Sequence, residues 1–122
     1  MQHCFVIDDS EIVRKFARLI FESLGFRVSE AASPQAALDR LKTESPDYIL
    51  VDWRIPGADM HDFIAKVRKL PLQVRPTIIY VPTENDYQDI DRALRMGADS
   101  FVLKPFNREI IEMKLHELRV AA

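Results

Sequence analysis

The stretch Asp47-Tyr-Ile-Leu-Val-Asp52-Trp-Arg-Ile-Pro56 is the part of this chain that decides its fold. Its apolar run, residues 49–51, is typical of a short strand buried on both faces of a sheet. The run ends in the carboxylate of Asp52, and Pro56 prevents the strand from continuing because proline has no backbone N–H to donate. In an open α/β sheet, ligands bind at the carboxyl ends of the strands. Burial of Asp52 at such an end is costly unless a cation meets it.

Length and composition restrict the class of protein. The chain of 122 residues fits one domain, 1–122, around a single core. A formal net charge of −2 gives no electrostatic support for a nucleic-acid or membrane surface, and no apolar run is long enough to cross a bilayer. The one cysteine, Cys4, excludes an internal disulfide, and His3, His61 and His116 show no metal-ligand spacing. We therefore expect a cytoplasmic domain that contacts neither nucleic acid nor membrane.

Five predicted strands alternate with five predicted helices. The strands are expected at 4–7, 26–30, the run ending at Asp52, 77–81 and 100–103. A helix is expected after each strand. The first helix ends at Gly25, and the second is capped by Ser33 and starts at Pro34. The third ends at Pro71, the fourth ends at Gly97 and the fifth is capped by Asn107. Each strand–helix–strand step favours a right-handed crossover, so the pattern predicts a parallel sheet with helices on both faces.

Charged residues follow three of the predicted strands. Asp8 and Asp9 follow the first, Asp52 ends the third and Lys104 follows the fifth. In a parallel sheet these four side chains gather at one edge, where three carboxylates repel one another. A hard divalent cation with oxygen ligands relieves that repulsion, and Mg²⁺ suits one or two carboxylates together with water and a phosphate.

The same four residues suit phosphoryl transfer. The carboxylate of Asp52 can act as a nucleophile toward phosphorus and form an aspartyl-phosphate. Lys104 then supplies a positive charge to the phosphoryl oxygens. Positioning and charge neutralisation are most of what a protein contributes to this reaction.

Three motifs resemble those of the response-regulator receiver domains of two-component signal transduction. They are Asp8-Asp9-Ser10, Asp52 with Pro56 four residues on, and Gly97-Ala-Asp-Ser-Phe-Val-Leu-Lys104-Pro105-Phe106. The resemblance covers essentially the whole chain, and the stretches Asp52-Trp53 and Thr83-Glu84-Asn85-Asp86 are similar to those of stand-alone chemotaxis-type receivers. It implies a flavodoxin-like, doubly wound α/β fold with a five-stranded parallel sheet in the order 2-1-3-4-5 and five helices.

The resemblance also implies a role for each charged residue. Asp8 and Asp9 would hold Mg²⁺, partly through water, and the backbone carbonyl of Arg54 would complete the metal site with Asp52. Asp52 would accept a phosphoryl group from a histidine kinase or a phosphotransfer protein. Lys104 would bridge to the phosphate. The resemblance implies a phosphorelay protein that would have at most self-phosphorylation and autodephosphorylation activity and would not be a conventional enzyme.

Further implications concern output. Phe101 occupies the position of the family's switch aromatic, and the Lys104–Pro105 bond would be cis, as X–Pro bonds can be. The fourth helix, fifth strand and fifth helix would contact a downstream protein target, with the chain as a monomer or a weak homodimer.

The sequence departs from the family pattern at the end of the fourth strand. Receivers place Thr or Ser there, whereas counting back from Gly97 puts Pro82 at that position. Proline offers neither a hydroxyl nor an amide hydrogen. Either Thr83, one residue later, supplies the hydroxyl, or that contact is absent and the coupling of phosphate to Phe101 is weakened. We favour the second interpretation.

Two rival functions follow from these observations. Pro82 is compatible with a pseudo-receiver, a module whose protein contacts do not depend on phosphate, although the intact charged residues argue against it. A Mg²⁺-dependent hydrolase of the haloacid-dehalogenase type would need Asp-x-Asp after the first strand, which Asp8-Asp9-Ser10 does not match. Such enzymes also need a cap to exclude water, for which this chain has no room.

We predict that Arg54 slows loss of the phosphoryl group. Arg54 lies two residues after Asp52, at the mouth of the expected site, and Glu84 occupies the matching position on the facing loop. Arg54 would restrict the attacking water by pairing with Glu84 or by reaching the phosphate. Arg54→Ala should therefore lose phosphate several-fold faster, as followed by the decay of the phosphorylated species in mass spectra. An unchanged decay rate would remove this role.

Overall fold

A computed structural model describes residues 1–82 and 84–121. Strands and helices alternate along the described chain. They are β1 (His3–Ile7), α1 (Glu11–Ser23), β2 (Arg27–Ala31), α2 (Pro34–Leu41), β3 (Tyr48–Asp52), α3 (Met60–Lys69), β4 (Thr77–Val81), α4 (Tyr87–Met96), β5 (Ser100–Phe101) and α5 (Arg108–Ala121). Within these residues no helix combines the length and hydropathy that a membrane span needs.

The strands form one parallel sheet in the order β2-β1-β3-β4-β5, which confirms the predicted topology. β5 is shorter than predicted, with two residues in place of the expected four. Pro82 supplies the physical reason. Val102 N–H donates to the carbonyl of Tyr80 and Lys104 N–H donates to that of Pro82, but Pro82 has no N–H to return a bond. The chain therefore stays beside β4 without a full ladder.

Alternate residues of the central strands face opposite sides of the sheet, as expected for a doubly wound fold. Phe5 and Ile7 of β1 belong to an apolar cluster with α2, α3 and α4. Cys4 and Val6 of the same strand belong to a second cluster with α1 and α5. The two clusters hold the sheet rigidly between helices, and this rigidity sets the positions of the strand ends.

The helix boundaries follow the capping residues that the sequence indicates. Ser33 accepts a hydrogen bond from Ala36 N–H (3.2 Å), with Pro34 in the first helical position. Asn107 accepts one from Ile110 N–H (2.9 Å) at the start of α5. Gly97 ends α4 with a φ of 129°, which a side chain would strain.

A chain of hydrogen bonds passes through His3 at the start of β1. The acidic residues lie at the other end of the strands. The Nδ1 atom of this buried histidine lies 3.4 Å from Nη2 of Arg27, which can only donate, so Nδ1 is the acceptor. Nε2–H then donates to Ser29 Oγ (2.8 Å), and the Ser29 hydroxyl donates to Glu44 Oε1 (2.7 Å). This arrangement suits the neutral imidazole.

We predict that His3 makes the protein less stable in mild acid. Burial, and next the charge of Arg27, lower the pKa of His3 below 6.5. The folded protein therefore favours the neutral imidazole. The stability that this preference contributes is complete above pH 6.5, the pKa of the unfolded state, and is lost as the pH falls from 6.5 toward the lower pKa of the folded state. The free energy of unfolding should fall across this window by at most about 1.4 kcal/mol per pH unit, the limit for one proton. Urea unfolding at several pH values measures the slope.

His3→Gln is the matched variant, because its amide can still donate to Ser29 but does not titrate. Its unfolding free energy should decline less steeply than that of the wild type through the same window. Identical slopes for the two proteins would show that His3 is not responsible.

Candidate functional site

The sheet brings three of the predicted site residues together at the carboxyl ends of its strands. Asp52 ends β3, Asp8 follows β1 and Lys104 follows β5. The carboxylates of Asp8 and Asp52 are buried, with 4% of each residue exposed. Asp9 follows Asp8 and is exposed. The parallel register aligns Ile7 with Val51, and this alignment sets the first and third strands to end side by side.

The ammonium of Lys104 joins the two buried carboxylates. Its Nζ lies 2.7 Å from Asp52 Oδ1 and 3.1 Å from Asp8 Oδ2. Burial alone would lower the pKa of Lys104, but the hydrogen bond and charge of Asp52, with those of Asp8, outweigh it and raise the pKa. The lysine is therefore the charged partner that the sequence analysis required for Asp52.

The pKa of Asp52 is raised above its usual value of 3.8. Burial is the largest cause and the nearby charge of Asp8 adds to it, while the hydrogen bond from Lys104 and a backbone hydrogen bond from Arg54 oppose the rise. The folded protein therefore holds an ionised Asp52 at a cost that Lys104 only partly offsets.

The acidic cluster suits a divalent cation. Asp8, Asp9 and Asp52 each offer a carboxylate oxygen, and these oxygens lie within 4.8 Å of one another. Three carboxylates against the one ammonium of Lys104 leave two negative charges uncompensated, and the two positive charges of a Mg²⁺ ion would balance them. Carboxylate oxygens are also the ligand type that Mg²⁺ prefers. The residues present therefore fit this ion.

Four hydrogen bonds engage every polar atom of Asp8. Its N–H donates to the carbonyl of Ala31 (3.2 Å), and Oδ1 accepts from Ser10 N–H (2.9 Å). Oδ2 faces Lys104, and the backbone carbonyl accepts from Arg14 Nη1 (2.8 Å). Arg14 was not among the residues predicted from the sequence. Its position in the first helical turn after Asp8 is the signal that could have pointed to it.

The predicted tuning residues lie around this cluster. Arg54 and Glu84 are both exposed, and the described side chains include no ion pair between them within 4.0 Å. Pro82 is buried beside the site, so no hydroxyl is present at the position where receivers place Thr or Ser. Thr83, the alternative source of a hydroxyl, lies outside the described residues.

Phe101 and Trp53 are both half-buried. The ring of Phe101 packs against the α2–α4 side of the core, and Lys114 Nζ lies 5.6 Å from its centroid, within range of a cation–π contact. Trp53 follows Asp52 directly and lines an open groove of about 150 Å³ with Pro82, Glu84, Asp86 and Asp89. The Lys104–Pro105 peptide bond is cis, as the family resemblance implies.

A second polar network lies beneath the start of α4. The Tyr80 hydroxyl donates to the carboxylate of Asp89 (3.0 and 3.1 Å), and Nε2 of His61 lies 3.0 Å from Asp89 Oδ1. Burial, followed by the charge of Asp89, raises the pKa of Tyr80. The network ties β4, α3 and α4 together. The sequence indicated only that His61 lacks metal-ligand spacing, because no local spacing links these three residues.

A parallel 2-1-3-4-5 sheet with a lysine-bridged acidic cluster at its carboxyl edge defines a receiver-type α/β domain. The family model of the response regulator receiver domain matches residues 4–116. The chain belongs to this family, and the acidic site of Asp8, Asp9 and Asp52 is typical of Mg²⁺-dependent phosphoryl acceptance.

Individual relatives agree with this assignment. The chain is 28% identical over 102 residues to the phosphate regulon transcriptional regulatory protein PhoB of Escherichia coli, covering 84% of this chain and 44% of PhoB. The chain spans about half the length of the curated relatives it matches. The chemotaxis response regulator CheY4 of Vibrio cholerae superposes with a TM-score of 0.88 at 25% identity, covering 96% of this chain and 98% of CheY4.

A third similar structure is the receiver domain of the sensor histidine kinase PA1611 from Pseudomonas aeruginosa, which has a magnesium ion coordinated in its active-site cleft. The TM-score is 0.84 at 24% identity, and the match covers 95% of each chain. This likeness supports the fold.

We predict that Asp52→Asn raises the free energy of unfolding at neutral pH in the absence of divalent metal. A carboxyl group whose pKa is raised by folding destabilises the folded state once it ionises, and this cost is relieved as the pH falls toward the unfolded value. The amide keeps an oxygen for Lys104 without the charge that Asp8 repels. We expect a gain on the order of 1 kcal/mol in urea unfolding.

Asp9→Asn is the matched control, because it removes a carboxylate from the same cluster at an exposed position. It should change stability less than Asp52→Asn. A loss of stability in Asp52→Asn would mean that the ion pair with Lys104 outweighs the cost of burying the charge.

Proposed function

We propose that this protein accepts a phosphoryl group on Asp52 from a histidine kinase or a phosphotransfer protein, in a Mg²⁺-dependent reaction, and transmits the signal to a protein partner. The observation that carries the proposal is the contact of Lys104 with Asp52 and Asp8 at the edge of the sheet, beside a third carboxylate. Membership of the receiver family supports the histidine kinase as donor. We propose that this exchange takes place in the cytoplasm.

A carboxylate oxygen of Asp52 would attack phosphorus. Lys104 Nζ donates to Oδ1 of this carboxylate, which also accepts a hydrogen bond from the backbone N–H of Arg54. A new O–P bond forms as the bond from phosphorus to the donor nitrogen or oxygen breaks, and the electron pair leaves with the donor. The Lys104 ammonium already lies at the acceptor, where it can stabilise negative charge on the phosphoryl oxygens without reorganisation.

We propose that Asp8, Asp9, Asp52 and the backbone carbonyl of Arg54 hold the Mg²⁺. A bound divalent cation would neutralise phosphoryl charge that a cluster of carboxylates otherwise repels. The magnesium ion in the receiver domain of PA1611 supports this assignment. Ion binding would also offset the repulsion from Asp8, which adds to the effect of burial in raising the pKa of Asp52.

The output surface that we propose comprises α4, β5 and α5. Exposed apolar side chains on its two helices support contact with a protein: Leu94, Met96, Ile110, Met113 and Val120. Phe101 lies in β5 between these helices, and its contact with Lys114 links it to α5.

Because Pro82 has no hydroxyl, we propose that phosphate at Asp52 influences Phe101 only weakly. The chain would act as a monomer or a weak homodimer.

Pro82 also favours one alternative function. A pseudo-receiver would bind its partner whether or not Asp52 is phosphorylated, and a proline at the position where receivers place Thr or Ser is compatible with such a role. The two functions differ in whether Asp52 takes up phosphate.

The fluorescence of Trp53, the one tryptophan of the chain, provides the test. We expect a saturable change on addition of Mg²⁺ and a second change on addition of acetyl phosphate or beryllofluoride, because Trp53 adjoins the acceptor. At a Mg²⁺ concentration about ten times its Kd, the free energy of unfolding should rise by about 1.4 kcal/mol. Mass spectrometry after acetyl phosphate should show one added phosphoryl group.

Asp52→Asn is the control variant. It should lose the response to the phosphodonor and the phosphorylated species. A wild-type response to Mg²⁺ alone would indicate a retained metal site with no phosphoryl acceptance. No response to either reagent, with no phosphorylated species, would favour the pseudo-receiver.

A further inference from the structure

We propose that Arg14 is a positioning residue for the acidic cluster and sets its affinity for Mg²⁺ by holding the peptide that joins Asp8 to Asp9. This inference rests on the proposed Mg²⁺ site. It assigns a role to a side chain that is not a ligand and does not contact the phosphoacceptor Asp52.

The contact between Arg14 and Asp8 acts on the backbone. Arg14 Nη1 donates to the carbonyl oxygen of Asp8 over 2.8 Å. That oxygen belongs to the peptide unit that continues into Asp9, and a peptide unit is planar. Holding the oxygen therefore fixes the plane on which the Cα of Asp9 lies. Because the side chain of Asp9 is exposed, the place of its carboxylate in the cluster depends on the backbone that carries it.

Arg14 is itself well fixed. Its side chain is 16% exposed, and its Nε donates to Glu30 Oε1 over 3.2 Å. The other oxygen of Glu30 accepts from Arg18 Nε (2.6 Å), and the Glu30 carbonyl accepts from Arg40 Nη1 (2.6 Å). Glu30 lies in β2, so the guanidinium of Arg14 clamps the loop after β1 to the neighbouring strand. The planar fork of arginine makes both of its contacts at once.

Charge and position make opposite predictions for this residue. Arg14 carries a positive charge beside a site that binds a cation, so its charge alone weakens Mg²⁺ binding. Removal of that charge would tighten binding if electrostatics decided the outcome. Removal of the hydrogen bond to Asp8 would weaken binding if position decided it. The sign of the change in Mg²⁺ affinity therefore separates the two explanations.

Titration of Arg14→Gln with Mg²⁺, followed by Trp53 fluorescence, is the test. We expect the Kd for Mg²⁺ to rise about tenfold, the scale found when a group that orients a metal ligand is removed. Arg14→Lys keeps the charge but loses the fork, and its Kd should lie between those of the wild type and Arg14→Gln. If Arg14→Gln does not fold, Arg14→Lys decides: a raised Kd supports the inference and a wild-type Kd overturns it.

Arg18→Gln is the matched control. Arg18 lies one turn further along α1, carries the same charge and also bonds to Glu30, but its bonds go to Glu30 and Glu22 and not to Asp8. We expect its Kd for Mg²⁺ to stay at or slightly below the wild-type value. Urea unfolding of both variants reports the general loss of stability, which should be similar because each loses an ion pair with Glu30.

The outcomes distinguish this inference from the proposed function. A Kd of Arg14→Gln that is unchanged or lower, or an equal rise in Arg18→Gln, would overturn the positioning role and leave the Mg²⁺ site in place. Absence of any saturable Mg²⁺ response in the wild type would overturn the site and this inference with it. A rise confined to the Arg14 variants supports both.

Discussion

The acidic site depends on one ammonium group between two buried carboxylates. Asp8 and Asp52 leave solvent because the sheet that carries them is covered on both sides, and each would be costly to bury unpaired. Lys104 meets one oxygen of each. It reaches them from the far end of the chain only because β5 lies parallel to β4. The parallel sheet therefore brings together the charges that form the site. Net negative charge remains at the carboxyl ends of the strands, and this charge attracts a cation.

Much of this arrangement could be predicted from the sequence because it repeats a local rule. An apolar run followed by a charged residue occurs at Asp8, Asp52 and Lys104, and the parallel topology brings these three residues close together. The contacts of Arg14 with Asp8, and of His61 with Asp89, follow no such rule. They depend on helix rotation and on loop paths, which apolar periodicity does not specify. The short β5 was missed because the effect of Pro82 falls on the neighbouring strand.

Pro82 separates this chain from the pattern of its family in two ways. It removes a hydroxyl from the edge of the acidic cluster, and it interrupts the backbone pairing of β4 with β5. Both effects fall between Asp52 and Phe101. The acidic cluster itself is complete. The chain therefore combines a complete acidic cluster with an incomplete β4–β5 ladder beside it.

The tie between Tyr80, Asp89 and His61 gives the start of α4 a particular mechanical character. A hydrogen bond depends on direction as well as distance and weakens steeply when it is misaligned, whereas apolar burial is non-directional. Two donors, the hydroxyl of Tyr80 and Nε2 of His61, meet the carboxylate of Asp89. The direction in which the first turn of α4 leaves the sheet is therefore specified by a single carboxylate that joins it to both β4 and α3.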